Sequence, residues 1–257
     1  MRDCPQGVEI TAAGASFSLG ELWRFLGLDT SLAAVQADLA FDPPVAAAFQ
    51  AYPGLRLLRQ DPWECLSAFV CAQWSSVPKI QNSNLWLARQ WGRPVLWPDG
   101  RITWTTPRPE ALAPLPPEAL APSGLGYRCR YVIGTAAMVA AGTCPVDDLR
   151  YRVYEEALSA LLSLPGIGRK VADCVLLFSL DQPSACPVDV WVQRALYQHY
   201  GALLAEAAGP APAGTAGSLS AAAHRRLVEF AWDRWGANAG YAQQYLFEAQ
   251  RRGLFAA

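Results

Sequence analysis

Lys170 is the residue whose chemistry stands out first. The chain carries 21 basic residues, of which 19 are arginine and two are lysine, Lys79 and Lys170. Arginine keeps its proton in a protein, whereas lysine can surrender it and act as a nucleophile. Lys170 lies in "LPGIGRKVADC" (164–174), at the start of an apolar stretch that reads as a helix over about 170–180. A helix N-terminus carries about half a positive charge, so a cation there is disfavoured. That field and partial burial both push a lysine towards its neutral form. An amine in that position is equipped for covalent chemistry, which arginine could not perform.

The same stretch offers a second function. Pro165 ends the preceding helix, and Gly166 and Gly168 permit the positive φ of a tight turn. The next helix then presents backbone N–H groups from about Gly168 to Val171 that its own ladder cannot use. Together with the helix dipole they form an anion site, able to grip a phosphodiester without net positive charge. An ordinary helix–turn–helix corner has the same features. Nineteen residues beyond Lys170 stands Asp189, in "CPVDV". Asp189 caps the next helix or supplies a fixed carboxylate, and both readings stay open.

The elements that must position these residues are mostly helical. "VEIT" and "SFSL" within residues 1–19 suggest a small β-hairpin. "DPWECLSAFVCAQW" opens a helix with Asp61 as N-cap, Pro62 at the first position and Glu64 three residues on. Leu66, Phe69 and Val70 share one face of it. Further helices are expected over about 80–91, 127–141, 151–162, 189–200, 222–235 and 238–251. Residues 94–122 are proline-rich and read as loop, with a small turn in "VLWPDGRITW". The low-complexity run 205–223 reads as a surface loop.

Composition narrows the class. With 52% hydrophobic and 17% charged residues, the 257-residue chain can bury a substantial core. It has no apolar run of about 18 residues or more, so no membrane span is expected, and no signal peptide is evident. Seven cysteines at 4, 65, 71, 129, 144, 174 and 186 give no disulfide framework, and the two histidines complete no zinc or iron–sulfur ligand set. A reduced, cytoplasmic protein is expected. The net charge of −1 argues against nucleic acid as a partner, an objection the backbone anion site answers.

A hairpin lysine followed at this distance by Pro-Val-Asp resembles the helix-hairpin-helix DNA glycosylases with a Gly/Pro-rich loop and aspartate (HhH-GPD), and within them the 8-oxoguanine DNA glycosylases. The resemblance runs through "LRLLRQDPWECLSAFVCAQ" (55–73), "GLGYRCRYV" (124–132), "LPGIGRKVADC" (164–174), "PVDV" (187–190) and "WGANAGYAQQYLF" (235–247). It implies a mostly α fold of two helical subdomains with the active site in the cleft between them. The expected division is a short β-like segment at 1–19, one subdomain from 20–60 plus 169–257, and another from 61–168 ending in the hairpin.

The resemblance also implies a function: excision of 8-oxoguanine flipped out of damaged double-stranded DNA, followed by strand cleavage through a Schiff base. Lys170 would be the nucleophile, and Asp189 would stabilise the oxocarbenium character at the sugar. Gln243 would read the Watson–Crick edge of the base, with Phe247 stacked on one face and Cys174 packed against the other. Gln243 and Phe247, four residues apart, share a helix face, which is also what simple packing would give. Backbone amides of Gly166, Gly168, Lys170 and Val171 would hold a phosphate. Carbonyls of Leu162, Leu164 and Ile167 would hold K+ or Na+, the expected metal, with no zinc and no iron–sulfur cluster. A monomer is expected, nucleoid-associated if the source is prokaryotic.

Three departures qualify the match. Only about 19 residues precede the helical part, where the eukaryotic enzymes have a large β-domain that contributes a base-reading glycine. Trp191 stands where the family often has a phosphate-binding histidine. "QWSSVPK" (73–79) replaces the asparagine-rich segment on the orphan-base side, with Trp74 at the expected asparagine and Lys79 at the expected arginine. Lys79 also reads as a plain exposed helix cation. Two rival readings remain: an alkylated-base (3-methyladenine-type) glycosylase, which needs no amine, and a non-catalytic DNA-binding protein.

Overall fold

The computed structural model describes residues 2–4, 7–13, 18–208 and 220–255. A short antiparallel pair, β1 (Arg2–Cys4) and β2 (Gly7–Glu9), precedes α1 (Leu19–Phe25), α2 (Leu32–Asp38), α3 (Pro43–Ala51), α4 (Pro62–Ala72) and α5 (Val77–Trp91). The antiparallel pair β3 (Pro94–Leu96) and β4 (Ile102–Trp104) follows, then α6 (Pro109–Leu112) and α7 (Cys129–Ala140). The last part is helical: α8 (Tyr154–Leu162), α9 (Arg169–Ser179), α10 (Val190–Ala208), α11 (Ala221–Trp235) and α12 (Ala239–Arg251). The fold is mostly α, as expected. No helix among the described residues is long and apolar enough to cross a membrane.

Two compact units divide the chain. One comprises Met1–Phe25, Leu66–Pro145 and Leu164–Gly166; the other comprises Leu26–Cys65, Val146–Ser163 and Ile167–Ala257. The sequence reading put 146–163 with 61–168. By its contacts this segment belongs instead with the second unit, because Tyr154, Ala157, Leu158 and Leu161 of α8 bury against that core.

Several boundaries differ from expectation. The N-terminal hairpin pairs Arg2–Cys4 with Gly7–Glu9 rather than "VEIT" with "SFSL"; Ser16 and Phe17 of the latter lie outside the described residues. The proline-rich stretch contains the β3–β4 pair, α6 and a 3-10 segment, Pro117–Ser123, where a loop was expected. Proline at the first helical positions, as in α6, fits because its missing N–H would be unpaired there anyway. α10 runs past the expected end at Tyr200, crossing a kink at that residue (φ −126°, ψ 16°). Most of the 205–223 run lies outside the described residues.

The second unit is built on α9, whose residues from Val171 to Leu177 are all buried. α12 packs on it so tightly that a Cβ at Gly240 would come within 2.2 Å of Leu177 Cδ1. Gly240 N–H donates to the Pro183 carbonyl at 2.8 Å, tying α12 to the connection that leads into Asp189. Elsewhere in this core the fully buried Asp42 caps α3 through Val45 N–H at 3.2 Å and accepts from Tyr200 Oη, Trp235 Nε1 and Arg234 Nε. In the first unit, Ser83 of α5 donates to the Ser123 carbonyl at 2.7 Å; in the second, Asp61 starts α4 by accepting from Glu64 N–H at 2.9 Å.

Candidate active site

The hairpin between α8 and α9 is short and closely specified. α8 stops at Leu162, where Ser163 N–H turns back to Ser159 and Ala160. Gly166 adopts φ +76°, and a Cβ there would lie 2.5 Å from the Tyr131 ring, so both backbone and space demand glycine. Its carbonyl accepts from Gln73 Nε2 at 2.9 Å. Gly168 differs from expectation: its φ is −97°, and a Cβ would meet nothing within 4 Å. As N-cap of α9 it provides no capping side chain. The first ladder bond runs from Ala172 N–H to the Gly168 carbonyl at 3.0 Å, so the ladder uses none of the amides before Ala172. What glycine leaves there is an open helix end rather than a sharper turn.

Lys170 is the second residue of α9 and is half-buried. One turn on, Cys174 is buried, and the Lys170 amine lies near enough to favour the charged form of its sulfur. Burial pushes the Cys174 thiol up to about 11; Lys170 pulls the other way, and the Asp173 and Asp189 carboxylates add to the rise. Lys170 and Asp189 therefore both act on one buried sulfur, although 19 residues separate them in sequence. Asp189 Oδ1 accepts from Trp191 N–H and Val192 N–H, each at 2.9 Å, which makes it the cap of α10. Both capping bonds go to Oδ1. Capping occupies one oxygen and leaves the carboxylate its charge, so the two readings of Asp189 are compatible. Beside it, Trp191 lies 5.1 Å beneath the Arg194 guanidinium.

Gln243 and Phe247 occupy successive turns of α12, the helix docked on α9 through Gly240. Gln243 is 3% exposed, and its Oε1 is buried with no hydrogen-bond partner. An acceptor left unpaired in this way costs about 1–3 kcal/mol, a cost a donor from outside the chain would remove. Phe247 is half-buried, with Arg251 5.7 Å from its ring.

Trp74 and Lys79 belong to the first unit. Trp74 follows α4 with φ +49° and is 86% exposed. Lys79 is exposed in the first turn of α5, which begins at Val77 rather than at Ile80. Both lysines of the chain thus stand in the first turn of a helix.

Sequence reasoning missed two arrangements. Arg128 is 5% exposed, and its guanidinium donates to the Leu125 carbonyl and to the Gln73 carbonyl just before Trp74. The second is a buried cluster of Tyr154, Arg169 and Asp173. The available signal was a lone carboxylate in an apolar helix, four residues after an arginine.

Comparison with known proteins bears on the whole arrangement. A family profile described as "8-oxoguanine DNA glycosylase, N-terminal domain" matches residues 18–66. The N-glycosylase/DNA lyase OGG1 of Arabidopsis thaliana is 34% identical over 234 residues, 89% of this chain and 61% of that protein. The structure of MBOgg1 with a low-affinity DNA ligand superposes with a TM-score of 0.79 at 29% identity, covering 92% of this chain and 77% of that one. The chain belongs to the HhH-GPD superfamily of DNA glycosylases. A further member of similar fold is the 8-oxoguanine glycosylase/lyase of Clostridium acetobutylicum, in complex with double-stranded DNA containing cytosine opposite 8-oxoguanine. It matches at 25% identity and a TM-score of 0.79, covering 91% of this chain and 74% of that one. The chain spans 61% of the length of its Arabidopsis relative.

Proposed function

We propose that this member of the superfamily is a base-excision DNA glycosylase and AP lyase whose substrate is 8-oxoguanine in duplex DNA. The observation that supports the reading is that Lys170 heads the open end of α9 while Asp189, which caps α10 through one oxygen, is close enough to act electrostatically on the same buried Cys174 thiol. Unprotonated Lys170 Nζ attacks the anomeric carbon of the flipped nucleotide, and the base leaves with the electrons of the glycosidic bond. Asp189 stabilises the positive charge that develops on the sugar. Ring opening gives the Schiff base, and loss of the neighbouring C2′ proton expels the 3′ phosphate.

The remaining site residues bind. Gln243 presents its unpaired Oε1 to an N–H on the Watson–Crick edge of the base, with Phe247 stacking and Cys174 packing on its faces. The amides of Gly166, Gly168, Lys170 and Val171 hold a backbone phosphate at the open end of α9. The carbonyls of Leu162, Leu164 and Ile167 accept no backbone hydrogen bond from a described residue, which suits them to a K+ or Na+ ion. That ion would add positive charge beside the phosphate. Trp74 and Lys79 face the orphan base. The partner is damaged double-stranded DNA, the enzyme acts as a monomer, and the compartment is cytoplasmic.

Borohydride trapping on duplexes carrying 8-oxoguanine, 3-methyladenine or an abasic site tests this reading. A trapped adduct with 8-oxoguanine supports it. Release of 3-methyladenine without any trapped adduct would assign the chain to the alkylated-base enzymes.

A further inference from the structure

The first two turns of α9 carry two pairs spaced i,i+4 on neighbouring stripes, Lys170 with Cys174 and Arg169 with Asp173. A helix advances about 100° per residue, so the second pair lies about that far round the axis from the first. Asp173 is completely buried, yet both of its oxygens are used. Oδ1 accepts from Tyr154 Oη, and Oδ2 accepts from Arg169 Nε at 3.1 Å. Arg169 Nη2 donates to Tyr154 Oη at 2.8 Å, which closes a triangle. Tyr154 is the first residue of α8, so the triangle joins the two helices that flank the hairpin. The Arg169 guanidinium also stands 5.7 Å from the Trp232 ring of α11, and Trp232 Nε1 donates to the Ser184 carbonyl at 2.7 Å, five residues before Asp189.

Three apolar side chains of similar volume would join α8 and α9 at least as stably, because a buried ion pair gains little over its desolvation cost. Directed hydrogen bonds do what apolar packing cannot: they fix the rotation of α9 about its own axis. At about 5–6 Å from the axis, a side-chain tip moves roughly 1 Å for each 10° of rotation. A nucleophile displaced by about that much loses on the order of a hundredfold in rate.

We propose that Tyr154, Arg169 and Asp173 are positioning residues that hold α9 at the rotation aiming Lys170 at its substrate carbon. The inference rests on the Schiff-base reading of Lys170. None of the three touches the reacting atoms; they act through the helix they anchor.

The test compares wild type with Tyr154→Phe and Asp173→Asn on an 8-oxoguanine duplex, at a temperature where circular dichroism shows each protein folded. The single-turnover rate of borohydride trapping is measured beside the Kd for a duplex bearing a stable abasic-site analogue. Trapping should slow by about tenfold or more while Kd stays within about twofold. The double variant should be little worse than the slower single one, because the triangle acts as a unit. Folded variants that trap at the wild-type rate, or that lose rate and affinity together, overturn the proposal. If Asp173→Asn does not fold, Tyr154→Phe, which removes one hydroxyl, decides it. A wild type that forms no adduct with any lesion defeats the Schiff-base reading itself, whereas an active wild type with unaffected variants defeats only the positioning role.

Discussion

Lys170 and Cys174 stand one turn apart on α9, the half-buried amine beside the buried sulfur. Because burial pushes that thiol up to about 11, the sulfur stays protonated at neutral pH and is a poor nucleophile. In the proposed mechanism covalent chemistry at this end of α9 falls to the amine, with Cys174 a polarisable packing surface beside it.

Asp189→Asn should separate the two roles of the carboxylate. Asparagine Oδ1 can accept from Trp191 and Val192 N–H as Asp189 does, so thermal stability should change by less than about 1 kcal/mol. Base excision should fall by at least about a hundredfold, the scale of losing a fixed electrostatic stabiliser. Near-normal single-turnover excision would reduce Asp189 to a cap.

Gln243→Leu should dissociate stability from function. The wild-type side chain buries an unpaired Oε1, whose removal relieves a cost of about 1–3 kcal/mol. The melting temperature should hold or rise, while excision of 8-oxoguanine falls by about tenfold or more, since a buried donor on the base would find no acceptor. A marked loss of stability would mean that the amide serves the fold.

What the sequence revealed of this protein follows from the range of the signals. Helices with local caps could be read directly: Asp61 caps α4, and α9 begins at Arg169, one residue before expectation. The Arg2–Cys4 and Gly7–Glu9 strands have three residues each, too few for an alternating pattern to fix a register. α10 continues beyond Tyr200, whose hydroxyl donates to Asp42 from 158 positions away. Pairing over that distance leaves no local mark in the sequence. Lys170 and Asp189 could be singled out because glycine, proline and lysine punctuate an apolar run. The Tyr154–Asp173 bond spans 19 residues and depends on how α8 packs on α9, so no local pattern announced it. Arg128 lies within the motif "GLGYRCRYV", but its burial against the Gln73 carbonyl is a tertiary fact.

Asp173 gives the protein a signed pH dependence. Burial raises its carboxyl from 3.8 to about 6, against the pull of Tyr154 and Arg169. Between these values the folded chain binds more proton than the unfolded one, so stability falls as pH rises through the window. The loss is about 2–3 kcal/mol from pH 4 to above pH 6, and is fully expressed at neutral pH. Urea unfolding at a series of pH values should show wild type gaining on Asp173→Asn as pH drops from 7 to 4. A constant difference across that range would mean the carboxyl does not titrate there.

Opposite-base preference should be weak. Trp74, 86% exposed, can fill the space left by a flipped base by stacking, which every base accepts about equally. Lys79 is a point donor without the bidentate fork that reads a base edge. Single-turnover excision of 8-oxoguanine opposite each of the four bases should therefore differ less than in enzymes with asparagine and arginine at these positions. Trp74→Ala should slow all four pairings together. A steep cytosine preference would show that other residues read the orphan base.

The central claim is that the Lys170 amine is the nucleophile, and Lys170→Gln tests it most directly. With an 8-oxoguanine duplex and borohydride, wild type should give a covalent protein–DNA adduct and the variant none. Binding of the variant to the same duplex should persist, because the backbone amides at the head of α9 do not depend on the side chain. Robust trapping by Lys170→Gln would place the chemistry on another amine and contradict the account.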